Sequence, residues 1–293
     1  METSDNLLVC KACATQFDIP VTKPLSNCKI CDDPRQFVPP QGQEWTSLRQ
    51  LKHEGYTNKW QQDAVDKRVW SIWTEPKFGI GQRAILLETE QGNVLWDCIA
   101  LLDKPTVDFI ASRGGLQAIC ISHPHYYTAH LDWARTFDCP VFIAVEDEQW
   151  CCRADRDGRR RLITSDVENI HDGVTAVKLG GHFPGSLVLH WEKKLFIADT
   201  FVTVPSGLYH VDRPSGTTSF SFMWSIPNMI PLPPSAMHAM WKMLKSLDFD
   251  STHGAFVGMD IRSNDVKKRV LESMKIQTRG EGHENHALLG ESL

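Results

Sequence analysis

No stretch of this 293-residue chain approaches the ~20 uninterrupted apolar residues that a membrane-spanning helix requires. A basic excess is missing too: 31 Lys and Arg stand against 36 Asp and Glu, for a net charge of −5. Nucleic-acid binding draws on concentrated Lys and Arg, so nothing here favours it. The one basic run, Arg159-Arg160-Arg161, reads as a solvated turn in a polar loop. The first residues, Met1-Glu2-Thr3-Ser4-Asp5, lack a basic segment followed by an apolar one, so no secretory signal is expected. No internal repeat is visible. The expectation is a cytoplasmic protein acting on a small molecule, with neither nucleic acid nor membrane as partner. The oligomeric state is not readable.

What is present is ordinary globular material, 42% apolar and 23% charged, enough for one large domain and a small appendage. Of the nine cysteines, Cys98, Cys120 and Cys139 sit in or beside apolar runs and read as small buried residues. Four others form two C-x-x-C pairs, Cys10-Lys11-Ala12-Cys13 and Cys28-Lys29-Ile30-Cys31. Two such pairs on tight turns make a tetrahedral S₄ metal site, with a disulfide or redox pair as the competing reading. A segment of about 30 residues buries too little apolar surface to fold alone, so a structural zinc ion would supply the folding free energy. Closed by four thiolates, such a site leaves no position for substrate. The run Asp33-Pro34-Arg35-Gln36-Phe37-Val38-Pro39-Pro40 reads as an extended linker. The expected domains are therefore residues 1–41 (zinc-ribbon-like module and linker), 42–276 (main domain) and 277–293 (a mobile polar tail).

In the main domain, Val69–Trp73, Ala84–Leu87, Val94–Cys98, Leu116–Ile121, Val141–Val145 and Ala255–Val257 read as strands. Lys104–Arg113, stopped by Gly114-Gly115, reads as a helix, as do Ser235–Leu247 and Asn264–Met274. Thr128 is placed to cap a helix reaching Phe137. Met237, Met240, Trp241 and Leu244 form an apolar stripe that reads as core. Three apolar strands deliver metal-binding groups at their ends: one runs into His123-Pro124-His125, one into Gly180-Gly181-His182, one into Asp199. Strand ends along one sheet edge are where α/β proteins place their sites. Imidazole nitrogens with a carboxylate oxygen suit a borderline divalent ion.

The ordered set His123-Pro124-His125-Tyr126-Tyr127-Thr128, Gly180-Gly181-His182-Phe183-Pro184-Gly185-Ser186 and Leu195-Phe196-Ile197-Ala198-Asp199-Thr200 resembles the metallo-β-lactamase superfamily signature H-x-H-x-D-H, G-H-x-P-G, G-D-T. The resemblance covers about residues 66–260. It implies a four-layer αββα sandwich, with His123, His125, His182 and Asp199 as metal ligands. Where that signature has Asp-His, the pair that holds a second metal, this chain has Tyr127-Thr128. One firmly held catalytic ion is therefore expected, unless His130 or His253 compensates. His253 falls near the superfamily's last metal histidine and reads as a ligand or acid/base residue. His130 reads as a helix-surface residue.

The chemistry so implied is hydrolysis of an ester, lactone, thioester or amide by a zinc-activated water. Asp199 would orient the water or take its proton, and Tyr126 or Tyr127 would support the oxyanion. The alternatives are a mononuclear Fe²⁺ oxygenase of the persulfide-dioxygenase type and a catalytically degenerate binding protein. The stretch Thr200–Pro234, with Phe201, Tyr209, Phe220, Phe222, Met223 and Trp224, reads either as an apolar substrate wall or as a cover for the sheet edge.

Overall fold

The computed structural model describes residues 4–171, 173–209, 213–214 and 216–293. Residues 1–3 of the leading segment, and 210–212 and 215 of the aromatic-rich stretch, lie outside the described residues. The chain divides into two compact units, 1–164 with 170–172, and 165–169 with 173–293.

The first unit is built on a seven-stranded mixed sheet. Thr57–Gln62, Val69–Glu75, Arg83–Thr89 and Gly92–Trp96 follow one another as antiparallel neighbours. Ala118–Cys120, Val141–Ala144 and Arg160–Ile163 then add in parallel. Short apolar runs such as Val94–Trp96 and Ala118–Cys120 become central strands because both of their faces are covered, and every residue in them is buried. The helix Lys104–Ala111 begins where the sequence suggests. Asp103 Oδ1 accepts from the Thr106 amide at 3.0 Å, and Pro105 occupies its first turn. Gly114 and Gly115 (φ 99° and 76°) end it in the left-handed region that favours glycine.

Two local expectations fail here. Arg160 and Arg161 belong to an edge strand rather than a polar loop. The Arg160 guanidinium is drawn inward, onto His130 Nε2 (2.9 Å) and the Arg153 carbonyl (2.6 Å). Thr128 caps no helix: its φ is 32°, its hydroxyl donates back to the Tyr126 carbonyl, and the helix His130–Thr136 starts after Ala129.

The N-terminal module is a three-stranded sheet ordered Gln16–Pro20, Leu7–Cys10, Trp45–Thr46. Its third strand lies past residue 42, so the linker doubles back and the module ends inside what reads as main domain. Arg153 fastens it to the rest of the unit. That guanidinium, nearly buried, donates to Asp132 Oδ1 (2.8 Å), Asp18 Oδ1 (3.3 Å) and Gln16 Oε1. A fork-shaped donor meeting two carboxylates and an amide is the arrangement in which a buried guanidinium is tolerated.

The second unit holds a six-stranded sheet ordered Val167–His171, Val174–Lys178, Leu187–Trp191, Lys194–Phe196, Ser251–His253, Ile261–Arg262, and a smaller one of Phe201–Thr203, Phe220–Ser225 and Ile230–Pro231. The helices Pro234–Leu244 and Val266–Gly280 bury its core. Met237, Met240, Trp241 and Leu244 are fully buried, as their spacing suggests. Phe201, Phe220 and Phe222 belong to the same core, with Phe201 stacked on Phe222. They cover the sheet and form no substrate wall. The last strand is Ser251–His253 rather than Ala255–Val257. It pairs in parallel with Lys194–Phe196, whereas Val257 is exposed. Nor is the chain from 277 onward a free tail. The helix continues to Gly280, Leu288 is fully buried in the core, and Glu291 accepts from His238 (2.9 Å) and Lys245 (3.1 Å). One apolar anchor in a polar stretch is too little for periodicity to register.

Candidate metal centres

The first donor set is the four cysteines of the module. All four are buried and their sulfurs lie within 4.8 Å of one another. Cys10 and Cys31 sulfurs are 3.6 Å apart, Cys13 and Cys28 sulfurs 3.7 Å. A disulfide needs about 2.05 Å, so neither of these contacts is one, and the cysteines are free. The edge of a tetrahedron of ~2.3 Å zinc–sulfur bonds is about 3.8 Å, so the thiols stand where such an ion would place them. Tight turns bring them there: the Ala14 amide donates to the Cys10 carbonyl and the Asp32 amide to the Cys28 carbonyl, both at 2.9 Å. Hydrogen bonds from Cys13, Cys28 and Cys31 hold Cys10 far below the usual thiol range. Burial pushes Cys13 up, and the bond to Cys10 does the same to Cys31. Cys98, Cys120 and Cys139 are buried as expected, and burial raises the Cys139 thiol to about 12.

The second donor set is His123, His125, His182 and Asp199. In the first unit, His123 and His125 flank Pro124 on a single 3₁₀ turn that follows the strand Ala118–Cys120. Asp97, with φ 60°, receives the Ser122 amide on Oδ1 at 2.7 Å, and Ser122 Oγ meets His123 Nδ1 at 2.9 Å. The His125 carbonyl accepts from Gln82 Nε2 at 3.1 Å.

In the second unit, His182 Nδ1 donates to the Trp224 carbonyl at 2.7 Å, which fixes the tautomer and puts the Nε2 lone pair on the other side. That Nε2 stands 3.9 Å from Asp199 Oδ2, too far for a hydrogen bond and suited to two donors that share a third partner. Gly181 (φ 86°) permits the turn: a Cβ there would come within 2.8 Å of Leu232 Cδ1. Thr200 Oγ1 donates to the Gly180 carbonyl at 2.8 Å and ties this turn to the segment carrying Asp199. Among the described residues, His123, His125, His182 and Asp199, all buried, make a donor set able to hold a metal ion. Both sets fit the group their chemistry implies.

The remaining candidates fall elsewhere. His253 is outside that set. It is buried, stacked on Phe196, with Nδ1 3.6 Å from Asp260 Oδ2. His130 is no surface residue: it is buried, Nδ1 bonds the Tyr127 carbonyl at 2.6 Å and Nε2 accepts from Arg160. Burial lowers its pKa to about 3, so it is neutral, with neither nitrogen left for an ion. The Tyr127 hydroxyl donates to the Asp147 carbonyl at 3.2 Å, which takes up its one proton, and burial pushes its pKa up. Sequence reasoning does not reach Ser122, Gln82 or the Trp224 carbonyl. Gln82 and Trp224 act on or through the backbone and leave no spacing signal, and a lone serine beside a histidine is too common to be one.

No family model matches the chain. The uncharacterized protein YmaE of Bacillus subtilis (strain 168) is 35% identical over 272 residues, spanning 91% of this chain and 92% of that protein. Among solved structures, VMB-1 at pH 5.5 superposes with a TM-score of 0.52 at 12% identity, over 76% of this chain and 99% of that one. TMB-1 gives 0.51 at 13% identity, over 75% and 98%. The DIM-1 metallo-β-lactamase exposed to ceftazidime gives 0.50 at 10% identity, over 75% and 98%. This is the αββα fold that the three motifs imply. The chain belongs to one family with YmaE of Bacillus subtilis, and its fold is that of the metallo-β-lactamases.

Proposed function

We propose that the protein is a metal-dependent hydrolase with one catalytic ion, zinc, held by His123, His125, His182 and Asp199, acting on an ester, lactone, thioester or amide. The observation that carries this reading is the His182–Asp199 pair, in which the imidazole is held from behind by the Trp224 carbonyl and its Nε2 stands 3.9 Å from the Asp199 carboxylate, within the donor set that also takes in His123 and His125. A bound divalent ion would supply Lewis acidity toward the carbonyl and lower the pKa of a bound water. The chain's own residues do the rest. Ser122 and the Trp224 carbonyl orient the two imidazoles. The second oxygen of Asp199 takes the proton from an attacking water. His253, backed by Asp260, passes a proton to the leaving group.

The single-ion reading is supported by how positions 127, 128 and 130 are used, and it assigns His253, which falls with Asp63 and Asp260, to proton transfer rather than to a second ion. The Tyr127 hydroxyl, the Thr128 hydroxyl and both His130 nitrogens are committed to other partners. No second set of ligands is left on that turn.

Elemental analysis together with a His182→Ala variant tests the reading. The wild type should carry two zinc ions per chain and turn over a generic ester or lactone. The variant should lose at least about a hundredfold in turnover while keeping the thiolate-bound ion and the melting midpoint. Unchanged turnover, or iron at the histidine set, would sink the proposal.

A further inference from the structure

One side chain bridges the module and the His123–His125 turn directly. Gln82, nearly buried, points its Nε2 at two backbone carbonyls at once: that of Cys13 at 2.8 Å and that of His125 at 3.1 Å. One amide nitrogen thus spans from a thiolate position to an imidazole position. Two further features hold the same seam. The Gln16 amide donates to the Thr128 carbonyl at 3.2 Å, three residues beyond His125. Gly79 lies so close to Ala14 that an added Cβ would meet the Ala14 Cβ at 2.8 Å and Gln82 Oε1 at 3.0 Å. The module therefore seats on the Gly79–Gln82 segment without slack.

We propose that Gln82 is a positioning residue that couples the two metal centres, so that the filled cysteine set holds the His123–His125 turn in ligand geometry. This rests on the histidine set binding an ion, as put forward above. The physical basis is that the two carbonyls share one donor. If the Cys10–Cys13 turn relaxes on losing its ion, the Gln82 amide moves with it and the His125 backbone loses its anchor. Outer partners of metal ligands commonly set affinity by 10–100-fold.

The test uses the full chain loaded with cobalt(II). Thiolate charge-transfer bands report the cysteine set, and weaker ligand-field bands report the imidazole–carboxylate set. Gln82→Met keeps the side-chain length and removes both donor bonds. It should leave the thiolate bands unchanged and weaken cobalt at the histidine set about tenfold against a competing chelator. An affinity equal to wild type within about twofold overturns the coupling and leaves the hydrolase reading standing. A wild type with no bands beyond the thiolate ones overturns both. Should Gln82→Met fail to fold, the wild type supplies the second measurement. Displacing the thiolate-bound metal with a mercurial should release the histidine-bound cobalt with it, and ligand-field bands that persist after the thiolate bands are gone would refute the coupling.

Discussion

The cysteine set and the histidine–aspartate set solve the same problem from opposite ends. The thiols come from two tight turns between Cys10 and Cys31, and the backbone of those turns positions them with little help. The imidazoles and the carboxylate are gathered from His123 to Asp199, and two of the histidines are steadied by groups far off in sequence, the Trp224 carbonyl behind His182 and Gln82 under His125, while Ser122 steadies His123 from next door. A short-range set needs only two local turns to bring its donors together. A long-range set depends on a folded scaffold to exist at all.

The largest expected effect tests the first half of that contrast. Cys13→Ser should cost the thiolate-bound ion and destabilise the protein by at least about 5 kcal/mol, on the order of 15 °C in melting midpoint. A melting curve that superposes on wild type would mean that the module folds without metal.

The next concerns a histidine outside both sets. His130 has a folded pKa of about 3, below its ordinary 6.5, so the neutral form belongs to the fold. Its contribution is complete above pH ~6.5 and drains away as pH falls toward 3, by between about 3 and 5 kcal/mol. His130→Gln should flatten that part of the acid-unfolding profile, and an unchanged slope would place the acid sensitivity elsewhere.

Leu288→Ala removes the anchor of the C-terminal segment and should destabilise by roughly 3 kcal/mol. Chemical denaturation measures it, and a loss within error would return residues 277–293 to the status of a loose tail. Smallest is Tyr127→Phe, which removes one buried hydrogen bond to the Asp147 carbonyl. About 1 kcal/mol of stability should go, with turnover unchanged. A hundredfold fall in turnover would restore the hydroxyl to the chemistry.

The contrast also explains what was legible. The C-x-x-C pairs and the H-x-H turn are visible because their members are sequence neighbours. His182 and Asp199 are visible because each follows an apolar strand. His130 reads as a helix-surface residue because nothing in the sequence around it announces Arg160, thirty residues on, whose guanidinium folds in to meet it. The strand at Ser251–His253 was displaced to Ala255–Val257 because apolar content marks burial. Here the pairing with Lys194–Phe196 recruits Ser251 and Thr252 instead. The Phe residues of the Thr200–Pro234 stretch were ambiguous for a related reason: an aromatic lining a cleft and one filling a core look alike until their neighbours are known.

The oxygen that captures the His182 ring belongs to the main chain at Trp224, not to its side chain. Replacing the indole therefore leaves the acceptor in place. A library randomised at residue 224 should keep the metal occupancy of the histidine set, whatever side chain packs there.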